Sequence, residues 1–496
     1  MNWTKDFEKL KRLFDVLKGE QKQLIFADLF FLYIFLPACL ILYFICKNLA
    51  WRNLVLIVFS LVFYAWGEPI CVCLLVFSAL VDYVNGRVIE RYRGKIGAKL
   101  GLAASLIINL GLLFVFKYLG FFIDNINYAT GLSIPDPGIE LPIGISFYTF
   151  QTISYTIDCY WGKVQTQKSF MRFLMYVSLF PQLVAGPIVR YATIEQEINF
   201  RKTSLADISE GISRICIGLG KKVLIADNLS LVVTGLFGDS SNGYSALNGL
   251  SAIGTWYGAI AVGLWYYFDF SGYSDIAIGL GRIFGFHFDE NFRHPFMCRN
   301  ITEFWQRWHI SLGSFFRDYL FYLPIFGKRR QYLNLFLVWF CTGFWHGASW
   351  NFIIWGLYWG LFILIETKIG KKRLKRWPAL LTHIYSKLVI AIGFGIFYFE
   401  SFDSLGLFFK NLVCAGGNKF VDATSETLML QYIILMAAAV FFSFPIIDFI
   451  KRLASKFRIS YFLVNSAGVI CNAAILILSS VMLVTSTVHP FLYFRF

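Results

Sequence analysis

Charged side chains are scarce in this sequence, at 15% of its 496 residues, whereas 57% of the residues are apolar and 19% aromatic. A water-soluble fold needs a largely polar exterior, so this scarcity excludes an ordinary soluble domain. Apolar runs such as 29–45 and 100–116 approach the roughly 20 residues needed to cross a bilayer. The composition therefore predicts an all-α polytopic membrane protein.

Acidic residues are scarcer than basic ones, and 30 Asp and Glu against 45 Lys and Arg give a net charge of +15. The basic residues fall mainly between apolar runs, with clusters at 87–99, 368–376 and 451–458. This placement is typical of cytoplasmic loops that contact anionic lipid headgroups. We therefore expect membrane lipids as partners and no nucleic acid.

Several chemical signatures are missing. The sequence has no P-loop, no nucleophile elbow and no dinucleotide fingerprint. Its ten cysteines show no Cys/His spacing of a metal site. We expect no metal and no tightly bound cofactor, with the cysteines acting as small buried hydrophobes.

Residues 1–25 lack the apolar core of a cleavable signal. Their large apolar residues recur at helical spacing among lysines and arginine, which predicts an amphipathic helix lying on the membrane surface. A helix that binds a soluble partner is the alternative.

Residues 26–496 show no linker and no short repeat, and we expect a single membrane-embedded domain. Its apolar segments predict about eleven transmembrane helices. The segments 52–66, 69–85 and 143–160 are short, and tilted, re-entrant or half-spanning helices would accommodate them.

The stretch "TGFWHGASWNF" (342–352) lies inside the longest segment without charge. No Lys, Arg, Asp or Glu occurs in the 35 residues between Arg330 and Glu366. One helix of that length would be about 52 Å long, too long for a hydrocarbon core of about 30 Å. We therefore expect a break near Gly343 and Gly347, with His346 deep in the protein. An ionisable residue there indicates a functional site, and the alternative is a neutral imidazole hydrogen-bonded between helices.

The stretch "ITEFWQRWHISLGSFFRDYLF" (301–321) is too polar to span a membrane. Trp305, His309, Leu312 and Phe316 form one stripe at helical spacing, which predicts a single interfacial or re-entrant helix. This pattern favours neither of two alternatives, a functional His309 or a purely interfacial one.

The stretch 267–296 combines glycines with acidic residues. Its glycines predict close helix packing. Asp269 and Asp275 are costly in a bilayer unless they are paired or cap the start of a helix, and Arg282 and Arg293 are candidate partners. The pattern favours a structural role over catalysis.

The run "ENFRHPFMCRNITEFWQRWHISLGSFFRDYLF" (290–321), followed by "TGFWHGASWNFIIWGLYWG" (342–360), resembles the membrane-bound O-acyltransferase (MBOAT) family. The likeness is strongest to its bacterial alginate O-acetylase and teichoic-acid D-alanyltransferase branch. Further stretches resemble the same branch in the same order: 60–69, 141–163, 180–190, 268–286 and 489–496.

The resemblance implies an MBOAT fold, with re-entrant and interfacial helices around a central pore, in the bacterial inner membrane. It implies that His346 and His309 are catalytic, with His346 as the base or the transient acyl carrier. Lining or donor-attracting roles are expected for a further set: Trp305, Arg307, Trp345 and Trp350.

The implied activity moves an acyl group, expected to be acetyl, from a cytoplasmic thioester such as acetyl-CoA toward an extracytoplasmic polysaccharide. An extracytoplasmic SGNH-type acetyltransferase is the expected partner. D-alanyl transfer to teichoic acid is one alternative, and a transporter or flippase of lipid-linked glycans is another. Glu303 and Gln306 replace an Asp and an Arg of the family pattern, so the resemblance leaves the acceptor open.

Overall fold

A computed structural model describes residues 24–324, 328, 330–457 and 460–485. The predicted amphipathic helix at 1–25 lies almost entirely outside these residues, and so does the motif at 489–496. The described chain is predominantly helical, as its composition predicts.

The α-helices are, in chain order, α1 (Leu36–Phe44), α2 (Leu49–Gly67), α3 (Cys71–Arg91), α4 (Ile96–Leu113), α5 (Leu119–Thr130), α6 (Ile145–Trp161), α7 (Phe170–Ser178), α8 (Phe180–Leu183), α9 (Tyr191–Asn199), α10 (Leu205–Gly220), α11 (Asp227–Phe237), α12 (Ala252–Ile283), α13 (Ile301–Trp305), α14 (Ile310–Phe316), α15 (Gln331–His346), α16 (Trp350–Ile369), α17 (Lys371–Leu374), α18 (Ala379–Tyr398), α19 (Phe402–Leu412), α20 (Ala423–Gln431), α21 (Ile433–Phe442), α22 (Ile446–Lys456) and α23 (Tyr461–Thr485). Four π-helical turns precede or join some of them: Phe31–Phe35, Phe114–Tyr118, Lys221–Ala226 and Arg317–Phe321.

Six described helical stretches are long and apolar enough to cross a membrane, or seven if the bent pair α20 and α21 forms one span. They are Leu49–Gly67, Cys71–Arg91, Ile96–Thr130, Trp350–Ile369, Ala379–Tyr398 and Phe462–Thr485. The chain is therefore a multi-pass membrane protein. The predicted number of eleven is not confirmed, because several apolar segments form short or more polar helices.

The chain divides into two compact units. The first comprises residues 1–116, 139–184 and 190–201, and the second comprises 117–138, 185–189 and 202–496. The prediction of one domain over 26–496 remains a prediction.

In the first unit a polar cluster joins three helices. Asp82 of α3 is fully buried and accepts hydrogen bonds from Ser105 Oγ at 2.6 Å and Asn109 Nδ2 at 2.8 Å, both on α4. Ser105 Oγ also lies 2.9 Å from Thr156 Oγ1 of α6. These bonds satisfy a carboxylate that would otherwise be costly inside a membrane.

In the second unit α12 is buried along nearly all of its 32 residues. A Cβ on Gly272 would come within 2.8 Å of the Gly218 carbonyl oxygen, and one on Gly279 within 2.6 Å of the Gly211 oxygen. The glycines therefore let α10 and α12 meet backbone to backbone, which confirms the packing prediction.

The acidic residues of α12 pair with partners other than those predicted. Lys222 Nζ lies 2.7 Å from Asp269, and Lys221 Nζ lies 2.7 Å and Arg214 Nη2 2.8 Å from Asp275. The predicted partners were wrong because both carboxylates face α10 and the turn that follows it, whereas Arg282 pairs with Glu210 on α10.

Candidate active site

The charge-free segment breaks where its length predicts. Helix α15 ends at His346, Gly347 is extended, and α16 begins at Trp350. A Cβ on Gly343 would overlap the Phe352 carbonyl oxygen and the Cα of Gly356. Because both positions are glycine, the two helices pack closely just before the break, and His346 is the last residue of the first helix.

His346 is buried among aromatic rings. Its ring centroid lies 4.9 Å from those of Trp345 and Trp355 and 5.3 Å from that of Phe397, each nearly perpendicular. Its Nδ1 atom is buried and has no hydrogen-bond partner among the described residues. The alternative of an imidazole hydrogen-bonded between helices is therefore not what these residues form. A buried polar atom left without a partner is expensive, and such atoms are often retained for function.

The stretch 301–321 is not one continuous helix, so the predicted stripe is wrong. Helix α13 ends at Trp305 and α14 starts at Ile310, and His309 between them has a left-handed backbone (φ 43°). A left-handed residue interrupts the helical register, so His309 leaves the stripe and turns inward, where it is buried.

Hydrogen bonds fix the His309 ring. Its Nδ1 lies 3.2 Å from Asn291 Oδ1, which also accepts from Ser311 Oγ at 2.9 Å and from the Ser311 backbone N–H at 3.3 Å. The backbone donor sets the orientation of the amide oxygen, so His309 Nδ1 must carry the proton. Nε2 is then the ring atom through which His309 can act on a substrate.

Both histidines contact the Trp345 ring. Its centroid lies 6.1 Å from that of His309 and 4.9 Å from that of His346. Phe270 of α12 packs edge-on against His309 at 4.7 Å. Three of the predicted site residues thus share one buried region of the second unit.

Trp305 joins this region through a cluster of indoles. Its ring lies 4.8 Å from Trp339, 5.8 Å from Trp355 and 5.4 Å from Trp359. The indole Nε1 atoms of Trp305, Trp355 and Trp359 are buried without an acceptor in the described part of the chain. Of these rings Trp355 contacts His346 directly, so its N–H group lies on a ring beside the histidine whose Nδ1 has no partner among the described residues.

The carboxylate of Glu366 holds α13 in place. It is buried on α16 and accepts from the backbone N–H groups of Ile301 at 2.6 Å and Thr302 at 2.8 Å. It also accepts from Thr302 Oγ1 at 2.6 Å and from the Tyr385 hydroxyl at 3.1 Å. An anion at a helix start satisfies its open N–H groups, so Glu366 ties α13, and hence Trp305, to α16.

Two predicted site residues lie apart from this cluster. Arg307 is partly exposed and pairs with Glu303 at 2.8 Å. Trp350 is half exposed, and its Nε1 donates to Asn125 Oδ1 of α5 at 3.0 Å. Neither contacts the ring of His346.

The sequence reasoning missed Asn291, Trp355 and Lys117. Lys117 Nζ donates to the Trp345 carbonyl oxygen at 2.5 Å. A lysine after a long apolar run is a recognisable signal, because charges inside spans are rare. Asn291 and Trp355 carry no such signal, because amides and tryptophans are common in helical membrane proteins.

Cys298 is a neighbouring alternative nucleophile. It is buried just before α13, and burial raises the pKa of its thiol to about 11. The thiolate is the reactive form, so Cys298 is poorly suited to attack a thioester. The two histidines are therefore the better candidates for acid–base or nucleophilic chemistry.

Fold and site together define a multi-pass membrane protein with a buried two-histidine centre at helix breaks. The profile of the membrane-bound O-acyltransferase family matches residues 163–403, which include both histidines. The chain belongs to this family, and it is an acyltransferase.

Three known proteins illustrate the relationship. The chain is 34% identical to the probable alginate O-acetylase of Pseudomonas putida over 499 residues, covering 95% of this chain and all of that protein. It is 33% identical to the peptidoglycan O-acetyltransferase of Helicobacter pylori, over 81% of this chain and 82% of that protein. It is 30% identical to the teichoic acid D-alanyltransferase of Bacillus subtilis, over 51% and 68% respectively.

Proposed function

We propose that this protein moves an acetyl group from a cytoplasmic thioester toward hydroxyl groups of an extracytoplasmic polysaccharide, and that His346 carries out the chemistry. The observation that supports this most is the contact of both His346 and His309 with the Trp345 ring, with His346 Nδ1 buried and without a partner among the described residues. The similarity to two O-acetylating enzymes along most of their lengths supports acetyl as the group transferred.

In the proposed reaction His346 removes the proton from the acceptor hydroxyl. The hydroxyl oxygen forms a bond to the thioester carbonyl carbon, the carbon–sulfur bond breaks, and the thiolate leaves with the proton taken by His346. If His346 is itself acylated first, its nitrogen bonds to the thioester carbonyl carbon, the carbon–sulfur bond breaks and the thiolate leaves. The acceptor oxygen then bonds to that carbon, the carbon–nitrogen bond breaks, and the hydroxyl proton passes to the thiolate. His309 Nε2, which is unprotonated while Nδ1 donates to Asn291, shares the proton taken up by His346, and once protonated it can donate to the carbonyl oxygen. A positioned base of this kind contributes typically about 10²–10⁴-fold.

Acetyl-CoA is the proposed donor, and the enzyme uses it as a substrate rather than as a bound cofactor. Trp305 and Trp345 line the reaction site, whereas Arg307 and Trp350 act farther out, where the donor approaches or the product leaves. The remaining apolar helices complete about eleven spans around a central pore in the bacterial inner membrane. An extracytoplasmic SGNH-type acetyltransferase completes delivery to the polymer.

The experiment uses the full-length protein in vesicles, with acetyl-CoA radiolabelled in the acetyl group supplied on one side. We expect the wild-type protein to release free CoA and to pass label to an added polysaccharide or partner acetyltransferase. His346→Ala should lose transfer, and Trp350→Ala should retain most of it. A His346→Ala protein that inserts normally and keeps full activity would contradict the proposal.

D-alanyl transfer is the competing function within the same class. The similarity to the D-alanyltransferase covers about half of this chain, against 95% and 81% for the two O-acetylating enzymes. The same vesicles supplied with a D-alanyl carrier protein discriminate the two. Label transfer from the carrier without transfer from acetyl-CoA would replace the acetyl assignment.

A further inference from the structure

Lys117, a residue of the second unit, lies within an apolar helical stretch. Lys117 follows the uncharged run 100–116 and belongs to the candidate span Ile96–Thr130. A charged side chain inside a span costs several kcal/mol, so such residues are rare and usually mark functional sites. The question is what Lys117 contacts.

Lys117 and Tyr118 both donate to the end of α15. Lys117 Nζ lies 2.5 Å from the Trp345 carbonyl oxygen and 5.7 Å from the Trp345 ring centroid. The Tyr118 hydroxyl donates to the Phe344 carbonyl oxygen at 3.0 Å, and its ring stacks on the Phe344 ring at 4.1 Å. The two donors therefore reach the two residues immediately before His346.

These carbonyls need partners because the helix stops. In a continuous helix they would accept from the N–H groups of residues 348 and 349, which lie in the break between α15 and α16. The end of a helix also carries partial negative charge, which favours a cation. A hydroxyl, as at Tyr118, would satisfy the carbonyl alone, whereas a protonated lysine also brings a positive charge that the end of a helix favours.

We propose that Lys117 and Tyr118 form a clamp that positions His346 for acyl transfer, and that the charge of Lys117 is part of this clamp. This inference rests on the proposed role of His346. The clamp fixes the backbone of Phe344 and Trp345 at the point where the helix would otherwise fray. It thereby sets the direction of the imidazole and of the Trp345 ring, which contacts both histidines. Lys117 is a positioning residue, because it acts through the backbone beside His346.

The test compares three changes at one position in the purified full-length protein, with acetyl-CoA as donor. Lys117→Met should lower kcat roughly 100-fold, since a misplacement of about 1 Å at a reacting group has that effect. KM for acetyl-CoA should change little, because donor binding is left intact. Lys117→Gln keeps a donor but not the charge, and should resemble Lys117→Met. Lys117→Arg keeps the charge and should restore kcat to within about tenfold of wild type.

Two controls keep the result interpretable. Lys99→Met removes an exposed lysine of α4 and should leave kcat unchanged. Tyr118→Phe keeps the stacked ring and removes one hydrogen bond, so it should show a smaller loss of kcat than Lys117→Met. Each variant is checked for an unchanged elution profile in detergent. If Lys117→Met elutes as an aggregate, the kcat values of Lys117→Gln and Tyr118→Phe test the clamp instead.

The outcomes separate this inference from the proposed function. Wild-type kcat in a monodisperse Lys117→Met protein, or equal losses in Lys117→Arg and Lys117→Met, would overturn the charged clamp. If His346→Ala is fully active, the proposed function fails instead, and a loss in Lys117→Met must then be explained without His346.

Discussion

At the scale of single residues, Asn291 controls how His309 presents its ring. Its amide oxygen accepts from His309 Nδ1, and its Nδ2 donates to Ser274 Oγ of α12 at 3.1 Å. One amide thus connects the histidine to the central helix of the second unit. Without it, the proton of the imidazole could sit on either nitrogen.

We predict that Asn291→Leu lowers the rate of acyl transfer by roughly 10- to 100-fold, the usual effect of removing the group that orients a functional histidine. The assay is the initial rate of CoA release by the purified protein. Ser314→Ala is the matched control, because it removes a hydroxyl that donates to the Ser311 carbonyl oxygen within α14 at 2.9 Å and leaves Asn291 unchanged. Equal rates for Asn291→Leu and Ser314→Ala would contradict an orienting role.

The sequence predicted the surroundings of His346 correctly and those of His309 incorrectly. The length of the charge-free segment located the break at His346, because a hydrocarbon core limits how long an uninterrupted span can be. Helical spacing misplaced His309, because periodicity assumes a continuous helix and a single left-handed residue ends it. Asn291 lies 18 positions from its partner His309, and Lys117 lies about 230 positions from its partner Trp345. Periodicity cannot detect contacts between residues so far apart in the chain.

At the scale of helices, the short α13 depends on Glu366 of α16. We predict that Glu366→Gln lowers the thermal midpoint in detergent and reduces activity, because an amide N–H would face the N–H donors at the start of α13. Bonds of this kind to a charged group contribute roughly 1.5–3 kcal/mol each.

The control for this prediction is Glu90→Gln. Glu90 pairs with Arg87 on the surface of α3, where both side chains are about two-fifths exposed. Surface pairs contribute about 0–1 kcal/mol. A midpoint for Glu366→Gln no lower than that for Glu90→Gln would show that α13 does not need the buried carboxylate.

The approach of α15 to α16 depends on glycine. A Cβ on Gly356 would overlap the Trp339 carbonyl oxygen and the backbone of Gly343. We predict that Gly356→Ala destabilises the protein by about 1–3 kcal/mol through overpacking and displaces His346, so that activity falls as well. The measurements are thermal midpoint and rate of CoA release.

Gly406→Ala provides the comparison on a helix without such contact. A Cβ at Gly406 of α19 meets no atom within 4 Å. Alanine should be neutral or stabilising there by up to about 1 kcal/mol, because it is a better helix former than glycine. Equal tolerance of both substitutions would refute the requirement for glycine where α15 and α16 meet.

At the scale of the whole molecule, composition predicted the class of protein better than it predicted the number of spans. The small number of charged residues indicates a membrane protein, because so much apolar surface cannot face water. The predicted number of spans is not confirmed, and apolar residues also form helices such as α12 that are buried in protein along nearly all of their length. Hydropathy alone does not distinguish lipid from a protein interior.

The account as a whole depends on acyl transfer at His346, and single-turnover CoA release tests this most directly. Purified full-length protein is mixed with acetyl-CoA and an acceptor, and free thiol is followed for wild type, His346→Ala and Trp350→Ala. The account predicts that thiol release is lost in His346→Ala and retained in Trp350→Ala, with both variants monodisperse. Thiol release at the wild-type rate by monodisperse His346→Ala would contradict it.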